Sequence, residues 1–160
     1  WPNQNYAKLT DGLIEKYKAK ILLIGGKTDY KHNEEIIQLC KQKANIINFA
    51  QKTTLKQLFK LVEHCKLFIS NDTGPMHIAA AQGVQTIGIF GPNTPTRFAP
   101  YGKKNISIYA KQECSPCINV HKAEFPNCTN TIKGKCMKDI TADSVFTAAQ
   151  HIIERNMHKI

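Results

Sequence analysis

Short apolar runs alternate along this chain with longer segments in which apolar residues recur every three or four positions. The runs cover residues 20–24, 45–49, 66–70, 86–90 and 106–109. The segments of helical periodicity cover residues 5–18, 33–43, 54–63, 76–82 and 141–155. Strands of about five residues that alternate with helices are typical of βαβ units. The alternation therefore predicts an α/β fold, a Rossmann-like parallel sheet with helices on both faces.

Length and charge limit what kind of protein this is. The 160 residues suffice for one domain, residues 1–160, and no apolar run approaches the roughly 20 residues of a membrane-spanning helix. The opening Trp1-Pro2-Asn3 does not resemble a secretion signal, so we expect a soluble cytoplasmic domain, and a piece of a larger protein. The net charge of +10 favours anionic partners, namely nucleic acid, phosphorylated metabolites or an acidic membrane surface. Nucleic acid is not indicated, because aromatic and basic residues do not interleave.

Four of the six cysteines cluster in a predicted loop, residues 111–138. Cys114 and Cys117 have the spacing of a zinc knuckle, whereas the spacing between Cys128 and Cys136 is longer than usual. Four thiols saturate one tetrahedral Zn²⁺ or pair as two disulfides, and a reducing cytosol favours the metal over the disulfides. A structural zinc site and unligated or partly oxidised thiols therefore both stay open.

The predicted strand 66–70 leads directly into a sequence suited to a phosphate site. In Asn71-Asp72-Thr73-Gly74-Pro75-Met76-His77, proline suits the first turn of a helix, and glycine leaves the free N–H groups of that turn accessible. Because the helix dipole adds to the attraction for an anion, a pyrophosphate is the expected ligand. We expect Asp72 to organise the site, Thr73 to offer a hydroxyl, and His77 to be either structural or a contact.

Two other strand ends carry weaker signals. Gly25-Gly26-Lys27-Thr28-Asp29 follows the first predicted strand and permits close approach of a ligand, although it matches neither the dinucleotide fingerprint nor a P-loop. Gly91-Pro92 follows the fourth strand, and Thr94 and Arg97 are candidate polar contacts beyond it. In an open α/β sheet, ligands bind beyond the carboxyl ends of the strands. Each of these segments is also explained by a structural turn.

The stretch NDTGPMHIAAAQGVQTIGIFGPNTPTRFAPYG strongly resembles glycosyltransferase family 9, the ADP-heptose:lipopolysaccharide heptosyltransferases. The resemblance extends to WPNQNYAKL, LLIGGKTD, INFAQKTTLKQL and CSPC followed by CM, and so covers nearly the whole chain. It implies one lobe of a GT-B enzyme, the C-terminal, donor-binding lobe. The N-terminal acceptor domain, which is expected to supply the general-base carboxylate, has no counterpart in this sequence, so no catalytic residue is assigned beyond a supporting role for Asp72.

The resemblance further implies an inverting transfer of heptose from ADP-heptose to a hydroxyl of the lipopolysaccharide inner core, without a required divalent ion. Donor-binding positions carried onto this chain fall in three places: Gly25, Gly26 and Asp29 beside the nucleotide; Lys52 and Thr53 near the adenine or ribose; and Asp72, Thr73, Gly74, Met76 and His77 at the diphosphate and sugar. The basic excess of residues 97–139 suggests contact with an anionic membrane surface, peripheral to the inner membrane.

Two alternatives remain beside this interpretation. One is another nucleotide-sugar transferase of the same family, with a different sugar or acceptor. The other is a non-catalytic, basic, zinc-containing module that binds nucleic acid or a protein. A phosphate-binding turn at the edge of a sheet favours a transferase, because a nucleic-acid module does not need one. We expect the isolated chain to bind the donor without turning it over.

Overall fold

The computed structural model describes residues 1–157 and divides the chain into two compact units. The first unit is Pro2–Leu61, and the second comprises Trp1 and the chain from Val62 onward. The single domain predicted for residues 1–160 thus consists of two units, and its last three residues lie outside the described range. Within residues 1–157, no helix has the length and apolar character needed to span a membrane.

The first unit is built on two parallel strands. Its elements are α1 (Asn3–Tyr17), β1 (Ile21–Leu23), α2 (Asp29–Leu39), a 3₁₀ turn (Lys43–Asn45) and β2 (Ile46–Asn48). A further helix, α3 (Leu55–Glu63), contains the boundary with the second unit. Strands β1 and β2 pair in parallel with Leu23 opposite Asn48, so their carboxyl ends lie at the same edge. The core of the unit is formed by apolar side chains of both helices and β2, namely Ala7, Ile14, Ile36, Cys40 and Ile46.

The second unit contains a three-stranded parallel sheet in the order β3-β4-β5. Its elements are β3 (Phe68–Asn71), α4 (Gly74–Ala81), β4 (Thr86–Phe90), α5 (Pro95–Phe98), β5 (Ile106–Tyr109), a 3₁₀ turn (Val120–Lys122), α6 (Lys135–Lys138) and α7 (Ala142–Met157). Every residue of the central strand β4 is buried, as the continuous apolar run of a parallel strand requires. Burial of a side chain such as Phe90 contributes about 1.5–3 kcal/mol.

The structure confirms the predicted α/β class and all five predicted strands and five predicted helices, with shifts of a few residues at their ends. Helix α4 begins at Gly74 and not at residue 76, because Pro75 is accommodated in the first turn. The short helices α5 and α6 were not predicted. Each has four residues, which is too short to show helical periodicity in the sequence.

Candidate functional site

The turn between β3 and α4 presents the start of a helix at the carboxyl edge of the three-stranded sheet. Thr73 is the N-cap residue of α4, with an extended backbone, and Gly74 and Pro75 form the start of the first turn. The Thr73 hydroxyl lies 3.0 Å from the hydroxyl of Ser70, so the two side chains share a hydrogen bond. The first turn of an α-helix carries the positive end of the dipole, and in α4 its first N–H belongs to Gly74, because Pro75 has none and that of Met76 donates to the Thr73 carbonyl oxygen. This edge is therefore suited to an anion.

The Asp72 carboxylate is held from two sides. Asn93 donates a hydrogen bond from Nδ2 to Asp72 Oδ2 at 2.6 Å. Nε2 of His77, one turn into α4, lies 3.8 Å from Asp72 Oδ1. The backbone N–H of Asp72 also donates to the carbonyl oxygen of Ile89 on the neighbouring strand. These contacts fix the orientation of the carboxylate, which suits the organising role predicted for Asp72.

Asn93 is a residue of this site that the sequence analysis did not single out. Its side chain is buried, and its Oδ1 accepts a hydrogen bond from the backbone N–H of Thr94 at 3.0 Å while Nδ2 holds Asp72. A sequence signal for Asn93 was available, since a polar residue directly follows Gly91-Pro92 at the end of β4. The carboxyl ends of β3 and β4 share one edge, so this residue lies near Asp72. Of the two candidate contacts beyond it, Thr94 caps α5 through the N–H of Thr96, and Arg97 contacts the imidazole of His121.

Gly74 and Met76 have opposite environments. A Cβ built on Gly74 has no atom within 4 Å, so packing does not demand glycine there, and both Thr73 and Gly74 are exposed. The Met76 side chain is fully buried, and its Sδ lies 2.7 Å from a Cβ built on Gly88. Its backbone N–H donates to the carbonyl oxygen of Thr73 at 3.1 Å. The Met76 side chain therefore belongs to the core, because no part of it reaches solvent, and the donor contact of this residue stays a prediction.

In the first unit, Gly25, Gly26 and Asp29 form a compact turn between β1 and α2. Asp29 Oδ2 accepts a hydrogen bond from the N–H of Gly26 at 2.7 Å, and the Asp29 N–H donates to the Gly26 carbonyl oxygen at 3.2 Å. Gly25 has a φ of 156°, and a Cβ built on it would lie 2.4 Å from Asp29 Cβ. The turn thus requires glycine at position 25 for its own packing, and one oxygen of Asp29 is already engaged.

Lys52 and Thr53 follow β2 at the same edge of the first unit. The N–H of Gln51 donates to the carbonyl oxygen of Gly25 at 3.1 Å, which joins the segment after β2 to the segment after β1. Lys52 is exposed, its backbone N–H donates to the Phe49 carbonyl oxygen, and its Nζ lies 5.9 Å from the centre of the Phe49 ring. The structure therefore brings the predicted nucleoside residues and the glycine turn to one edge of this unit.

A buried amide network supports that edge and was also missed from sequence. Asn33 Nδ2 donates to Asn48 Oδ1 at 3.1 Å, and Asn48 Nδ2 donates to Glu34 Oε1 at 2.7 Å and to the Tyr30 carbonyl oxygen at 3.2 Å. Both asparagine side chains are buried. The signal was an asparagine at the end of an apolar run, where a buried polar side chain requires partners.

The four clustered cysteines surround one cavity of about 300 Å³ in the second unit. All four are free thiols. Burial raises the pKa of Cys136 and of Cys117, and the neighbouring thiols add to the rise, whereas N–H groups of residues 130 and 134 lower the pKa of Cys128. Within residues 1–157, no group of three or more His, Cys, Asp or Glu side chains is arranged so that it could hold a metal ion as it stands. The zinc assignment stays a prediction.

Comparison with known proteins identifies the family. Residues 1–126 match Glycosyltransferase family 9 (heptosyltransferase). The chain belongs to glycosyltransferase family 9. Among the relatives of this family 9 chain, the lipooligosaccharide heptosyltransferase 2 of Campylobacter jejuni subsp. jejuni serotype O:2 is 33% identical over 99% of the chain and 47% of its own length. The lipopolysaccharide heptosyltransferase 2 of Escherichia coli K12 is 33% identical over 65% of the chain and 30% of its own length.

Solved structures agree with this assignment. E. coli ADP-heptose lipopolysaccharide heptosyltransferase II is 26% identical to the family 9 chain, with a TM-score of 0.79 over 98% of the chain and 43% of that protein. A family 9 glycosyltransferase of Veillonella parvula has a TM-score of 0.80 over 97% of the chain and 42% of that protein, and at 24% identity it supports the fold alone. The matched regions cover 30% to 47% of the length of these two curated relatives, and the chain corresponds to their C-terminal part.

The predicted donor residues of the family 9 chain are divided between its two units. Asp72, Thr73, Gly74 and His77 lie together around the start of α4 in the second unit. Those of the first unit lie at the edge formed by the ends of β1 and β2, namely Gly25, Gly26, Asp29, Lys52 and Thr53. The observed contacts give Gly25, Gly26 and Asp29 a structural role, and nucleotide contact at these positions stays a prediction from the resemblance.

Proposed function

We propose that this chain is the donor-binding part of a heptosyltransferase of lipopolysaccharide biosynthesis, with ADP-heptose as the donor and the inner core as the acceptor. The observation that carries the proposal is the open start of α4, where Gly74 leaves the first helical turn accessible and Asn93 fixes the adjacent Asp72 carboxylate. Relatives named as heptosyltransferases cover the same elements, and a solved neighbour is named as an ADP-heptose lipopolysaccharide heptosyltransferase.

The diphosphate of the donor binds at the first turn of α4 in this proposal. The backbone N–H of Gly74 and the helix dipole there neutralise negative charge without a metal ion. The same groups stabilise the ADP leaving group, whose charge develops as its bond to the anomeric carbon breaks. The Asp72 carboxylate orients the imidazole of His77, whose side chain is 46% exposed and lies beside the turn.

The proposed transfer is an inverting displacement. The acceptor hydroxyl oxygen forms a bond to the anomeric carbon from the side opposite ADP, the bond to the phosphate oxygen breaks, and ADP takes the electron pair. The hydroxyl proton passes to a carboxylate outside this chain, in the acceptor domain that the resemblance implies. The chain alone therefore binds the donor but does not transfer heptose. For the first unit, the assignment of Lys52 and Thr53 to the nucleoside rests on the resemblance.

A calorimetric titration of the chain with ADP, AMP and UDP tests the proposal. Because the helix start binds the diphosphate, we expect ADP to bind at least about tenfold more tightly than AMP, or ~1.4 kcal/mol. Added Mg²⁺ should change the ADP affinity by less than about twofold, because the positive end of the α4 dipole already balances the charge of the diphosphate. Tighter binding of UDP than of ADP would indicate another nucleotide-sugar transferase of the family, and absence of ADP binding would refute the donor site.

We also propose that the enzyme works at the cytoplasmic leaflet of the inner membrane, peripheral to it. Residues 97–139 contain eight Lys and Arg against three Asp and Glu. Lys122 and Phe125 in this segment are exposed, so both charge and apolar surface face solvent. Vesicles with anionic lipid should co-sediment with the chain at low salt and release it at high salt. Equal binding to neutral vesicles, or none to either, would contradict this location.

A further inference from the structure

Residues 111–138, which carry the four clustered cysteines, have little regular structure to hold them in place. They contain the 3₁₀ turn Val120–Lys122, the four-residue helix α6 and a single bridge between Asn119 and Glu124. Of these residues only Ser115 and Cys136 are buried. Burial of apolar surface therefore contributes little to ordering this segment, and segments of this kind are usually fixed by a cross-link or a metal ion.

The four thiols face a common cavity instead of being scattered over the segment. Cys114, Cys117, Cys128 and Cys136 all line the cavity of about 300 Å³, together with Phe125 and Lys135 among others. These sulfurs come from two places in the sequence, the Cys114–Cys117 knuckle and the region around α6. Four thiolates complete a tetrahedral zinc site, although the spacing between Cys128 and Cys136 is longer than that of a usual ligand pair.

Hydrogen-bond donors lie beside two of the four sulfur atoms. The backbone N–H of Gly134 donates to Cys128 Sγ at 3.4 Å, and Asn130 Nδ2 lies 3.8 Å from Cys114 Sγ in donor geometry. Lys135 lines the cavity and Lys133 Nζ donates to the Cys128 carbonyl oxygen. N–H donors to coordinated sulfur are the usual outer contacts of such sites, and the lysines offset the negative charge that four thiolates leave on one Zn²⁺.

We propose that Cys114, Cys117, Cys128 and Cys136 bind one structural Zn²⁺, which cross-links the two parts of residues 111–138 that carry these cysteines. The thiols surround the cavity but do not already form a coordination shell. Coordination therefore draws them together around the ion, and each thiol loses its proton to solvent as it binds. Zinc binding in this segment is thus coupled to its ordering, as in other small metal-stabilised structures.

Residues 115–118 of the cysteine-bearing segment form hydrogen bonds with the turn that carries Asn93. The N–H groups of Cys117 and Ile118 both donate to the Pro92 carbonyl oxygen, at 2.9 and 3.1 Å, and Ser115 Oγ donates to the Gly91 carbonyl oxygen at 3.0 Å. Asn93, the next residue, orients Asp72. Zinc therefore stabilises the loop that supports the start of α4. Zinc binding does not depend on the proposed function. Only an effect of zinc on ADP binding would require both the zinc site and the proposed donor site.

Metal analysis of the chain purified without chelator tests the proposal. We expect about one zinc per chain, and less than about 0.2 per chain in Cys128→Ser, since a three-thiolate set loses affinity. Cys65→Ser is the matched control, because Cys65 lies outside the cluster, and it should retain the full zinc content. Circular dichroism checks that each variant is folded, and Cys114→Ser replaces Cys128→Ser if the latter does not fold.

Two further measurements test the zinc site, namely cobalt absorption and thermal stability without metal. Co²⁺ loaded in place of zinc should show the thiolate-to-metal absorption of a tetrahedral sulfur site, and this absorption should be lost in Cys128→Ser. Removal of zinc with a chelator should lower the melting temperature by about 5 °C or more. A folded chain that contains no zinc and neither binds Co²⁺ nor responds to chelator would overturn the proposal. So would the recovery of the four cysteines as two disulfides from protein purified under reducing conditions.

Discussion

The turn after β1 and the turn after β3 have the same arrangement of strand, glycine and helix, but they differ in how closely other atoms pack against the glycine. Each follows a parallel strand, contains glycine and leads into a helix. After β1, the space beside Gly25 is filled by Asp29, whose carboxylate accepts the N–H of Gly26. After β3, a Cβ built on Gly74 meets no atom within 4 Å, and the nearby carboxylate of Asp72 accepts a hydrogen bond from Asn93. The first glycine is explained by the protein's own packing, whereas packing does not explain the second, for which we propose a role in donor binding.

The largest effect is expected from Gly25→Ala. The backbone at this position has a φ of 156°, and the added Cβ would overlap with Asp29 Cβ. We expect the free energy of unfolding to fall by about 2–3 kcal/mol, because both strain and overlap are introduced. Urea unfolding followed by circular dichroism measures this change. An unchanged midpoint would show that the turn is not packed as described.

The next largest effect is expected from Gly74→Val, on binding and not on stability. The added side chain meets no protein atom within reach of its Cβ, but it occupies the space in front of the α4 start. We expect ADP affinity to fall at least about tenfold, or ~1.4 kcal/mol, while the melting temperature changes by no more than about 2 °C. Gly74→Ala, measured in the same calorimetric titration, should give a smaller loss. Wild-type affinity in both variants would place the diphosphate elsewhere.

A smaller effect is expected from Asn93→Ala. The substitution removes the hydrogen bond to Asp72 Oδ2, so the carboxylate loses its fixed orientation beside the helix start. We expect about 1–2 kcal/mol lower stability and about fivefold weaker ADP binding.

The control for Asn93→Ala is Asn105→Ala. Asn105 accepts the N–H of Thr86 at the opposite end of β4, so its loss removes a comparable hydrogen bond away from the candidate site. This variant should lose stability without a change in ADP affinity. If both variants weaken ADP binding equally, Asn93 acts only through the general stability of the unit.

The smallest effect is expected from Asp29→Asn. The amide oxygen of asparagine still accepts the N–H of Gly26, so the turn keeps its hydrogen bond and loses only a charge. We expect the stability to change by less than about 0.5 kcal/mol and ADP affinity by less than about twofold. A large loss of ADP affinity with unchanged stability would show that the charge of Asp29 contributes to nucleotide binding. The turn after β1 would then have a binding role as well as a structural one.

Sequence periodicity predicted the strands and long helices because their signals are local. The apolar run at residues 86–90 coincides with β4, and Gly74-Pro75 indicates a helix start by residue type alone. The pairing of Asn93 with Asp72 was not predictable in the same way, because it depends on which strands are neighbours. The burial of Met76 was not predicted for a related reason. Its place in a functional motif suggested contact with the donor, whereas its position on the inner face of α4 puts it in the core.

A crystal structure of the chain with ADP tests the central claim most directly. The account predicts that the diphosphate lies at the first turn of α4, with an oxygen of the β-phosphate within hydrogen-bonding distance, about 2.7–3.2 Å, of the Gly74 backbone nitrogen. The Asn93–Asp72 hydrogen bond should be retained beside it. A diphosphate bound at any other helix start, with the space in front of Gly74 filled only by solvent, would contradict the account.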